Sequence, residues 1–503
     1  MISKLQNYKK EIIVLALWFP FLFAINTNLT DIYYLGLNLS TTVNAIRIIL
    51  YLFSFFLLVF LFFKNFKKIK LSNSIFFIYL LIFIIQSNFI FSENFNQLTA
   101  SYKIFVSGNI PLITEHISSI NIGLEVQSVY MMIGSIGALI YFIIFNSKEY
   151  ETIIKRQIIA TCLIIASVYL YFATNMMIDY FTNYSTIMLY HSTFLNNSSF
   201  FEHEMTRATG ISRILVMISI ITLLLLFRFK NNYLRFFGFL FIIFINTIIF
   251  LLSSRFGTFS YFIILLSLIL FIKISYLKKI IIIIFLSIIP YLIQDNIKQY
   301  KLSFIIHKNI LNTSNKVSFL ELLTKNNKSY EKLKNEYVTK NKIVTNRPLV
   351  KIDEENKLLE LKTTGRLDIW KKAYNLILND KVNIWIGNGY QADRKLLTYD
   401  DDSMFYGSNI SNALLHIFLC SGLIGLFIFL YINLKIIIRI FQLYFVEKIY
   451  LNYNFNLTLI IAINMILLLY LRCLVENSIA YYNIDFLIFL MCLYIIDKKR
   501  EII

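Results

Sequence analysis

Residues 410–432 read ISNALLHIFLCSGLIGLFIFLYI, a mostly apolar run that contains no Asp, Glu, Lys or Arg. An α-helix needs roughly 20 such residues to cross the ~30 Å hydrocarbon layer of a bilayer. Eleven further apolar runs occur along the chain, at residues 11–26, 43–63, 72–92, 122–146, 158–176, 210–227, 236–252, 257–273, 279–294, 455–473 and 484–496. The sequence therefore predicts an all-α polytopic membrane protein with about twelve transmembrane helices.

The composition of the chain points to the same class. Of its 503 residues, 58% are hydrophobic and only 15% are charged, whereas a soluble domain is about 45–50% apolar and about 25% charged. The formal net charge of +19 does not indicate a nucleic-acid partner, because the basic residues cluster at the ends of the apolar runs. This pattern is typical of a protein embedded in membrane lipids whose Lys and Arg residues near span ends stay cytoplasmic. The clusters are Lys9–Lys10, Lys64–Lys70, Lys148–Arg156, Arg228–Arg235, Lys273–Lys279, Lys435–Lys448 and Lys498–Arg500.

The positions of these clusters predict the topology. With twelve spans and a cytoplasmic N-terminus, every cluster falls on the cytoplasmic side, where Lys and Arg near span ends are normally found. Both termini are then cytoplasmic, and residues 1–26 form a retained first span because they lack a small-residue cleavage site. Residues 1–294 hold nine spans, residues 295–409 form one large extracytoplasmic loop, and residues 410–503 hold three spans.

The large loop contains one strongly patterned segment. In residues 363–370, TTGRLDIW, Thr364 can cap a helix that begins near Arg366. Apolar residues then recur at helical spacing, at Leu367, Trp370, Tyr374 and Ile377. The helix is predicted to end at Asn379, and residues 385–390, WIGNGY, predict a turn. Such an amphipathic helix is expected to lie on the outer membrane surface or to cap the spans.

Arginines on the outer side are the clearest chemical feature. Arg255 occupies a tight turn at the membrane boundary, where an arginine normally has a partner or a polar cavity. Arg366 begins the amphipathic helix, whose dipole disfavours a cation unless an anion is shared with the helix N-terminus. Arg207 and Arg213 flank Gly210 where a span starts. A guanidinium binds two phosphate oxygens at once and keeps its proton. Binding to lipid headgroups or to a nearby acid is the alternative for each.

The other polar residues give weaker indications of a functional site. Arg472 is followed one turn later by Glu476, which predicts a structural pair. The run Asp400–Asp402 is interpreted as a solvated loop. The four cysteines lie in or beside apolar runs without CxxC or Cys/His spacing, so neither a disulfide nor a metal site is predicted.

Seven short segments, taken in order, resemble the O-antigen ligase and polymerase superfamily, and most closely its Wzy-type polymerases. The segments are Arg207–Gly210, Ser253–Arg255, Gly365–Trp370, Gly387–Gly389, Ser411–Leu415, Cys420–Gly425 and Leu471–Glu476. The resemblance covers residues 207–485, and the first 200 residues add only a compatible topology.

This resemblance implies a GT-C type glycosyltransferase in the bacterial cytoplasmic (inner) membrane, with its active site facing the periplasm. Its donor and acceptor would be polyprenyl-pyrophosphate-linked oligosaccharides, and a chain-length regulator protein is a possible partner. Arg255 and Arg366 would be the catalytic residues that bind the pyrophosphate. Further substrate-binding residues would be Arg207, Arg213, Trp370, Asn412, Arg472 and Glu476. No metal and no cofactor is implied.

The chain departs from the pattern of the ligases at one position. Those proteins usually carry a His, the proposed base, where this chain has Ser411, and His416 one turn later is expected to be a satisfied core residue. The departure favours a polymerase and leaves the general base open among Glu202, His203, Glu204 and Glu476. The alternatives are a ligase that transfers glycan to a lipid or protein, and a non-enzymatic flippase of lipid-linked oligosaccharide.

Overall fold

The structure is a computed structural model of the chain. It describes residues 10–14, 16–18, 38–66, 132–144, 150–182, 208–252, 255–272, 275–313, 366–379, 382–389, 392–397, 410, 412–474, 476, 479 and 484–500. For some residues inside the helices only the backbone is described, and Arg255 and Arg366 are among them.

The described part of the chain is helical and contains no strand, which confirms the all-α prediction for these residues. The principal helices are α1 (Asn38–Asn65), α2 (Glu151–Thr182), α3 (Ala208–Leu226), α4 (Asn232–Leu251), α5 (Arg255–Phe271), α6 (Tyr276–Thr313), α7 (Arg366–Leu378), α8 (Ala392–Leu397), α9 (Ala413–Phe441), α10 (Tyr453–Cys473) and α11 (Ile484–Arg500). Residues 10–14, 16–18 and 132–144 are also helical.

Membrane character is visible in the length and composition of these helices. Five described segments are long and apolar enough to cross a bilayer, namely Glu151–Tyr171, Asn232–Leu251, Tyr276–Ile297, Ala413–Val446 and Asn456–Cys473. Large apolar side chains point outward from them, for example Leu277 and Phe427, each 71% exposed. The number of twelve spans stays a prediction, because residues 72–92 and much of 11–26 lie outside the described residues.

The chain divides into two compact units. The first unit contains Met1–Ile165, Leu270–Lys273 and Gly365–Ile503, and the second contains Ala166–Ile269 and Ile274–Thr364. Of the seven segments that resemble the O-antigen ligase and polymerase superfamily, those that follow Thr364 in the sequence therefore all belong to the first unit.

The buried centre of the first unit is α11, in which every residue from 484 to 494 is buried. Its Tyr494 ring lies 5.5 Å from the ring of Phe142, and Trp18 stacks at a tilt on Tyr141 with 4.8 Å between ring centroids. Trp18 Nε1 also donates a hydrogen bond of 2.6 Å to Thr161 Oγ1. Because aromatic rings fill this centre, the polar tip of the tryptophan needs the partner that Thr161 provides.

A buried polar network joins the helices of the second unit. Pro290 lies inside α6 and has no N–H to donate to the carbonyl of Leu286, four residues earlier. That carbonyl instead accepts hydrogen bonds from Asn246 Nδ2 (2.9 Å) and Tyr261 Oη (3.2 Å). Ser219 Oγ donates to Asn246 Oδ1 at 3.0 Å. The network therefore replaces the helical hydrogen bond that the proline removes, and it links α3, α4, α5 and α6.

Helix α6 extends further than the sequence pattern indicates. The predicted loop starts at residue 295, where the sequence becomes polar, but the helix continues to Thr313. Lys298, Gln299, Lys301 and Lys308 belong to residue types with helix propensities close to that of Leu, so a polar composition does not by itself end a helix. The first part of the predicted loop, as far as Thr313, is therefore a continuation of the preceding helix beyond its apolar segment, which ends at Ile297.

Candidate functional site

The amphipathic helix predicted in the large loop is present as α7, and it begins at Arg366 as the sequence indicates. Its buried face consists of Ile369, Ala373 and Leu376, which are 8%, 0% and 6% exposed. Trp370 and Ile377 flank this face and are partly buried. The predicted stripe is wrong at Tyr374, which is 58% exposed. The small Ala373 side chain occupies the face instead.

This face of α7 packs on the beginning of α9. Its apolar residues form one core with Val382, Ile410 and Leu419. Trp370 Nε1 donates a hydrogen bond of 2.8 Å to the carbonyl of Ile410. Of the two placements expected for the amphipathic helix, capping a span is the one supported by these contacts.

Helix α9 is broken at Gly422, and the predicted turn docks on the break. Gly422 has a φ of 61° and a ψ of −161°, which no residue in an α-helix adopts. Four backbone hydrogen bonds connect the two segments: Leu423 N to Ile384 O (2.7 Å), Ile424 N to Trp385 O (3.2 Å), Asn388 N to Leu419 O (2.8 Å) and Gly389 N to Cys420 O (2.9 Å). Irregular backbone within a membrane protein requires such protein partners for its N–H and C=O groups.

Glycines allow the two backbones to approach each other. A Cβ on Gly387 would lie 2.4 Å from the carbonyl carbon of Cys420, and a Cβ on Gly422 would lie 2.3 Å from that of Trp385. Both glycines also have positive φ, 71° and 61°, a region that L side chains rarely adopt. The two glycine-containing segments singled out in the sequence are therefore the two sides of one contact.

Side chains of the docked segment fix its shape. Asn383 Oδ1 accepts from the backbone N–H groups of Trp385 (3.1 Å) and Ile386 (3.2 Å). Asn388 Oδ1 accepts from Asn383 N at 2.8 Å and closes the turn. These are the local side-chain-to-backbone bonds that asparagine commonly forms in turns. The segment that meets α9 is therefore held in one conformation by its own residues.

A cluster of three ionisable side chains lies where α8 meets α9. Asp393 Oδ1 is 3.1 Å from His416 Nδ1, and His416 Nε2 is 3.7 Å from Cys420 Sγ. Asp393 Oδ2 accepts from the backbone N–H of Ile410 at 3.1 Å. The exposed fractions of the three side chains are 0%, 1% and 0%. The prediction that His416 is a satisfied core residue is confirmed, and its partner is Asp393.

The sequence did not reveal Asp393 as a buried residue. It lies in the short polar helix α8, beside an arginine and a lysine, where an aspartate is normally solvated. The sequence did contain one indication of this cluster, namely the four-residue spacing of His416 and Cys420, which places both on one face of a helix. Asp393, His416 and Cys420 offer the donor atoms that bind transition metals, so they are the residues of this region that could hold a cation.

Asn412 caps α9 and ties it to the end of α10. Its Oδ1 accepts from the backbone N–H groups of Leu414 (3.0 Å) and Leu415 (3.1 Å), which is the usual geometry of a helix N-cap. Its Nδ2 donates to the carbonyl of Leu474 at 3.1 Å. Asn412 thus connects the segment after the large loop to the segment that carries Arg472 and Glu476. Its predicted role in substrate binding stays a prediction.

Arg472 forms a buried ion pair with a residue that the sequence did not indicate. Its Nη1 lies 3.1 Å from Asp485 Oδ2, and the two side chains are 8% and 0% exposed. This ion pair joins the end of α10 to the first turn of α11. The pair of Arg472 with Glu476, indicated by the sequence spacing, stays a prediction. Glu476 lies one turn further along, and its backbone N–H donates to the carbonyl of Arg472 at 2.8 Å. Asp485 was missed because its contact bridges two helices.

The two proposed catalytic arginines each begin a helix. Arg255 is the first residue of α5, in the second unit, and Arg366 is the first residue of α7, in the first unit. Their side chains lie outside the described residues. Arg213 is half-buried in α3 of the second unit.

The remaining predicted positions are divided as follows. Trp370, Asn412, Arg472 and Glu476 belong to the first unit. Arg207, Asp400–Asp402, Ser411 and the base candidates Glu202, His203 and Glu204 lie outside the described residues. The catalytic and substrate-binding roles of all these residues stay predictions.

No family model, no curated protein and no solved structure matches the chain. A functional conclusion for this protein therefore depends on its own motifs and on the contacts that these motifs make. The arrangement in the first unit provides a long apolar helix broken at Gly422, a turn docked on the break and a helix that starts with an arginine.

Proposed function

We propose that the chain is a membrane glycosyltransferase that polymerises polyprenyl-pyrophosphate-linked oligosaccharide repeat units. The observation that supports this most directly is the meeting of motifs that are far apart in the sequence. Trp370 contacts Ile410, the turn 384–389 docks on residues 419–424, and Asn412 contacts Leu474. Five of the seven segments on which the resemblance to O-antigen polymerases depends are thus joined by contacts within the first unit, which supports their having a common role.

The positions of Arg255 and Arg366 at the N-termini of two helices support an anionic substrate. A cation at a helix N-terminus is disfavoured by about 0.3–1 kcal/mol at an exposed site, whereas an anion there is favoured. A pyrophosphate would reverse the penalty, because it can accept hydrogen bonds from both the guanidinium and the free backbone N–H groups of the first turn. Arg255 and Arg366 are therefore proposed to supply these groups to the donor.

The proposed reaction is a displacement at the anomeric carbon of the donor sugar. The oxygen of an acceptor hydroxyl forms a bond to this carbon, the bond between the carbon and the phosphate oxygen breaks, and polyprenyl pyrophosphate leaves with both electrons. The hydroxyl proton passes to a base, for which Glu476 is the candidate among the described residues. The arginines stabilise the charge that develops on the leaving group, an effect of about 3–4 kcal/mol per good contact by analogy with oxyanion donors.

A polymerase is favoured over a ligase by the surroundings of His416. The ligases have a His at the position of Ser411, whereas His416 is buried beside Asp393 and is not positioned to meet an acceptor. We further propose the GT-C architecture with about twelve spans, cytoplasmic termini, a location in the bacterial inner membrane and a site that faces the periplasm. The apolar helices are compatible with this placement.

The proposal is tested with Arg255→Ala and Arg366→Ala in cells that lack the wild-type copy. Both variants should abolish the ladder of polymer lengths while single repeat units still reach the outer leaflet, as detected by labelling of surface glycan. Lysine at either position should restore little, because a point charge does not reproduce the bidentate contact. The matched controls are Lys371→Ala, on the exposed side of α7, and Arg228→Ala, exposed after α3.

Each possible result has a distinct meaning. Full-length polymer from both arginine variants would contradict the pyrophosphate site. Loss of surface repeat units altogether would favour the flippase. Normal polymer that is no longer attached to its lipid or protein acceptor would favour the ligase.

A further inference from the structure

The side chains of Asp393, His416 and Cys420 form a cluster that the proposed glycosyl transfer does not use. They come from two elements, α8 and α9, and their ligand atoms all lie within 4.8 Å of one another. We propose that this cluster binds one zinc(II) ion, which fastens the docked segment 382–397 to the broken helix α9.

The donor set identifies the class of metal. A carboxylate oxygen, an imidazole nitrogen and a thiolate sulfur together suit zinc, whereas magnesium and calcium prefer oxygen ligands alone. One carboxylate and one thiolate also balance the charge of a divalent cation, so the loaded site is neutral. Neutrality matters because all three side chains are at most 1% exposed, and an unbalanced charge at such depth is strongly disfavoured.

The distance between Asp393 and His416 fits a tetrahedral site, and the distances to Cys420 are longer than such a site needs. His416 Nδ1 is 3.1 Å from Asp393 Oδ1 and 4.0 Å from Cys420 Sγ. Two nitrogen or oxygen ligands of zinc lie about 3.3 Å apart, and a nitrogen and a sulfur ligand about 3.5 Å apart, given the usual bond lengths. Zinc therefore needs the Cys420 sulfur to move about half an ångström closer to His416 Nδ1 and, since the ligand atoms lie within 4.8 Å of one another, up to about 1.3 Å closer to the Asp393 carboxylate, which a rotation of the cysteine side chain can provide.

The surroundings orient the ligands as they do in known metal sites. Asp393 uses Oδ2 to accept from Ile410 N, which directs Oδ1 toward His416. Ile410 is held in turn by the hydrogen bond from Trp370 to its carbonyl. The Cys420 carbonyl accepts from Gly389 N, four residues before Asp393. Such outer contacts fix the ligands and are a regular feature of metal sites.

The burial of the cluster indicates a structural role for the ion. Three protein ligands leave one coordination position, which a water molecule can fill, but a sugar substrate has no surface at which to approach a site exposed by 1% or less. The ion would join α8 to α9 beside the four backbone hydrogen bonds of the docked turn. This inference is independent of the glycosyltransferase proposal, because metal content is measured without any substrate.

The test uses the full-length chain purified in detergent, loaded with zinc and passed over a chelating resin. Elemental analysis should find about one zinc per chain. The zinc content of the Cys420→Ser, His416→Asn and Asp393→Asn variants should be lower by at least about tenfold. Cys473→Ser, which removes another buried cysteine, should retain the zinc of the wild type. Equal zinc in Cys420→Ser and Cys473→Ser would overturn the proposal.

A second measurement needs only the wild-type chain and so covers the case in which the variants do not fold. Cobalt(II) in place of zinc should give the intense absorption band of a thiolate–cobalt bond and tetrahedral d–d bands. A wild-type protein without such bands, and without zinc above the level of the buffer, would show that Asp393 and His416 form only a hydrogen-bonded pair.

Discussion

Two buried polar clusters, one in each unit, differ in the kind of side chain that forms them. The Asn246 cluster of the second unit consists of neutral groups, and its hydrogen bonds are explained by the carbonyl that Pro290 leaves without a helical partner. The Asp393 cluster of the first unit consists of ionisable groups, and no backbone defect accounts for its thiol. Neutral polar groups in membrane helices commonly hold helices together, whereas buried ionisable groups need a partner that balances their charge, which the proposed zinc ion would supply.

The largest effect is expected from the backbone contact beside the Asp393 cluster. Gly422→Ala should destabilise the protein by about 3 kcal/mol or more, because its Cβ would overlap the backbone at Trp385 and the positive φ is strained. The midpoint of thermal unfolding in detergent measures this. Gly238→Ala is the control, since its Cβ meets only the Leu226 side chain, which can move. Equal shifts in the two variants would mean that the docked turn contributes little.

The second-largest effect is expected from zinc, which should stabilise the protein through the Asp393 cluster and not through the Asn246 cluster. Zinc at 100 times its Kd should stabilise the wild type by about 2.7 kcal/mol relative to the chelated protein. This increment should vanish in Asp393→Asn and persist in Asn246→Ala, because only the first variant removes a ligand. Unfolding midpoints with zinc and with chelator measure it. A zinc increment that survives in Asp393→Asn would contradict the assignment of the ligands.

The smallest effect concerns the Asn246 cluster. Asn246→Ala should cost about 1–2 kcal/mol, because it removes one of the two side-chain donors to the Leu286 carbonyl. In a Pro290→Ala background the cost should fall, since alanine at 290 restores a backbone N–H to that carbonyl. A double-mutant cycle of unfolding midpoints checks the coupling. Strict additivity of the two substitutions would show that the network does not replace the lost helical bond.

Local patterns in the sequence predicted the local structure. The helix from Arg366 and the turn within residues 385–389 follow from periodicity and glycine positions, which involve residues close in the chain. The exposure of Tyr374 was missed, because Ala373 and Tyr374 are both compatible with an apolar stripe and the packing against α9 decides between them.

Contacts between distant segments could not be predicted in the same way. Asp393 with His416, Arg472 with Asp485 and Asn246 with Leu286 each join two elements. Composition and periodicity carry no information about such partners. The resemblance selected segments that do meet in the first unit, but the spacing of single residues did not indicate Asp485 as a partner of Arg472.

The most direct test of the central claim is polymerisation by the purified protein. The full-length chain in liposomes, incubated with polyprenyl-pyrophosphate-linked repeat units, should give a ladder of products that differ by one repeat unit. It should also release one polyprenyl pyrophosphate for each glycosidic bond formed. Arg366→Ala should give neither product, and Lys371→Ala should give both. A wild-type protein that moves lipid-linked units across the bilayer without joining them would contradict the account.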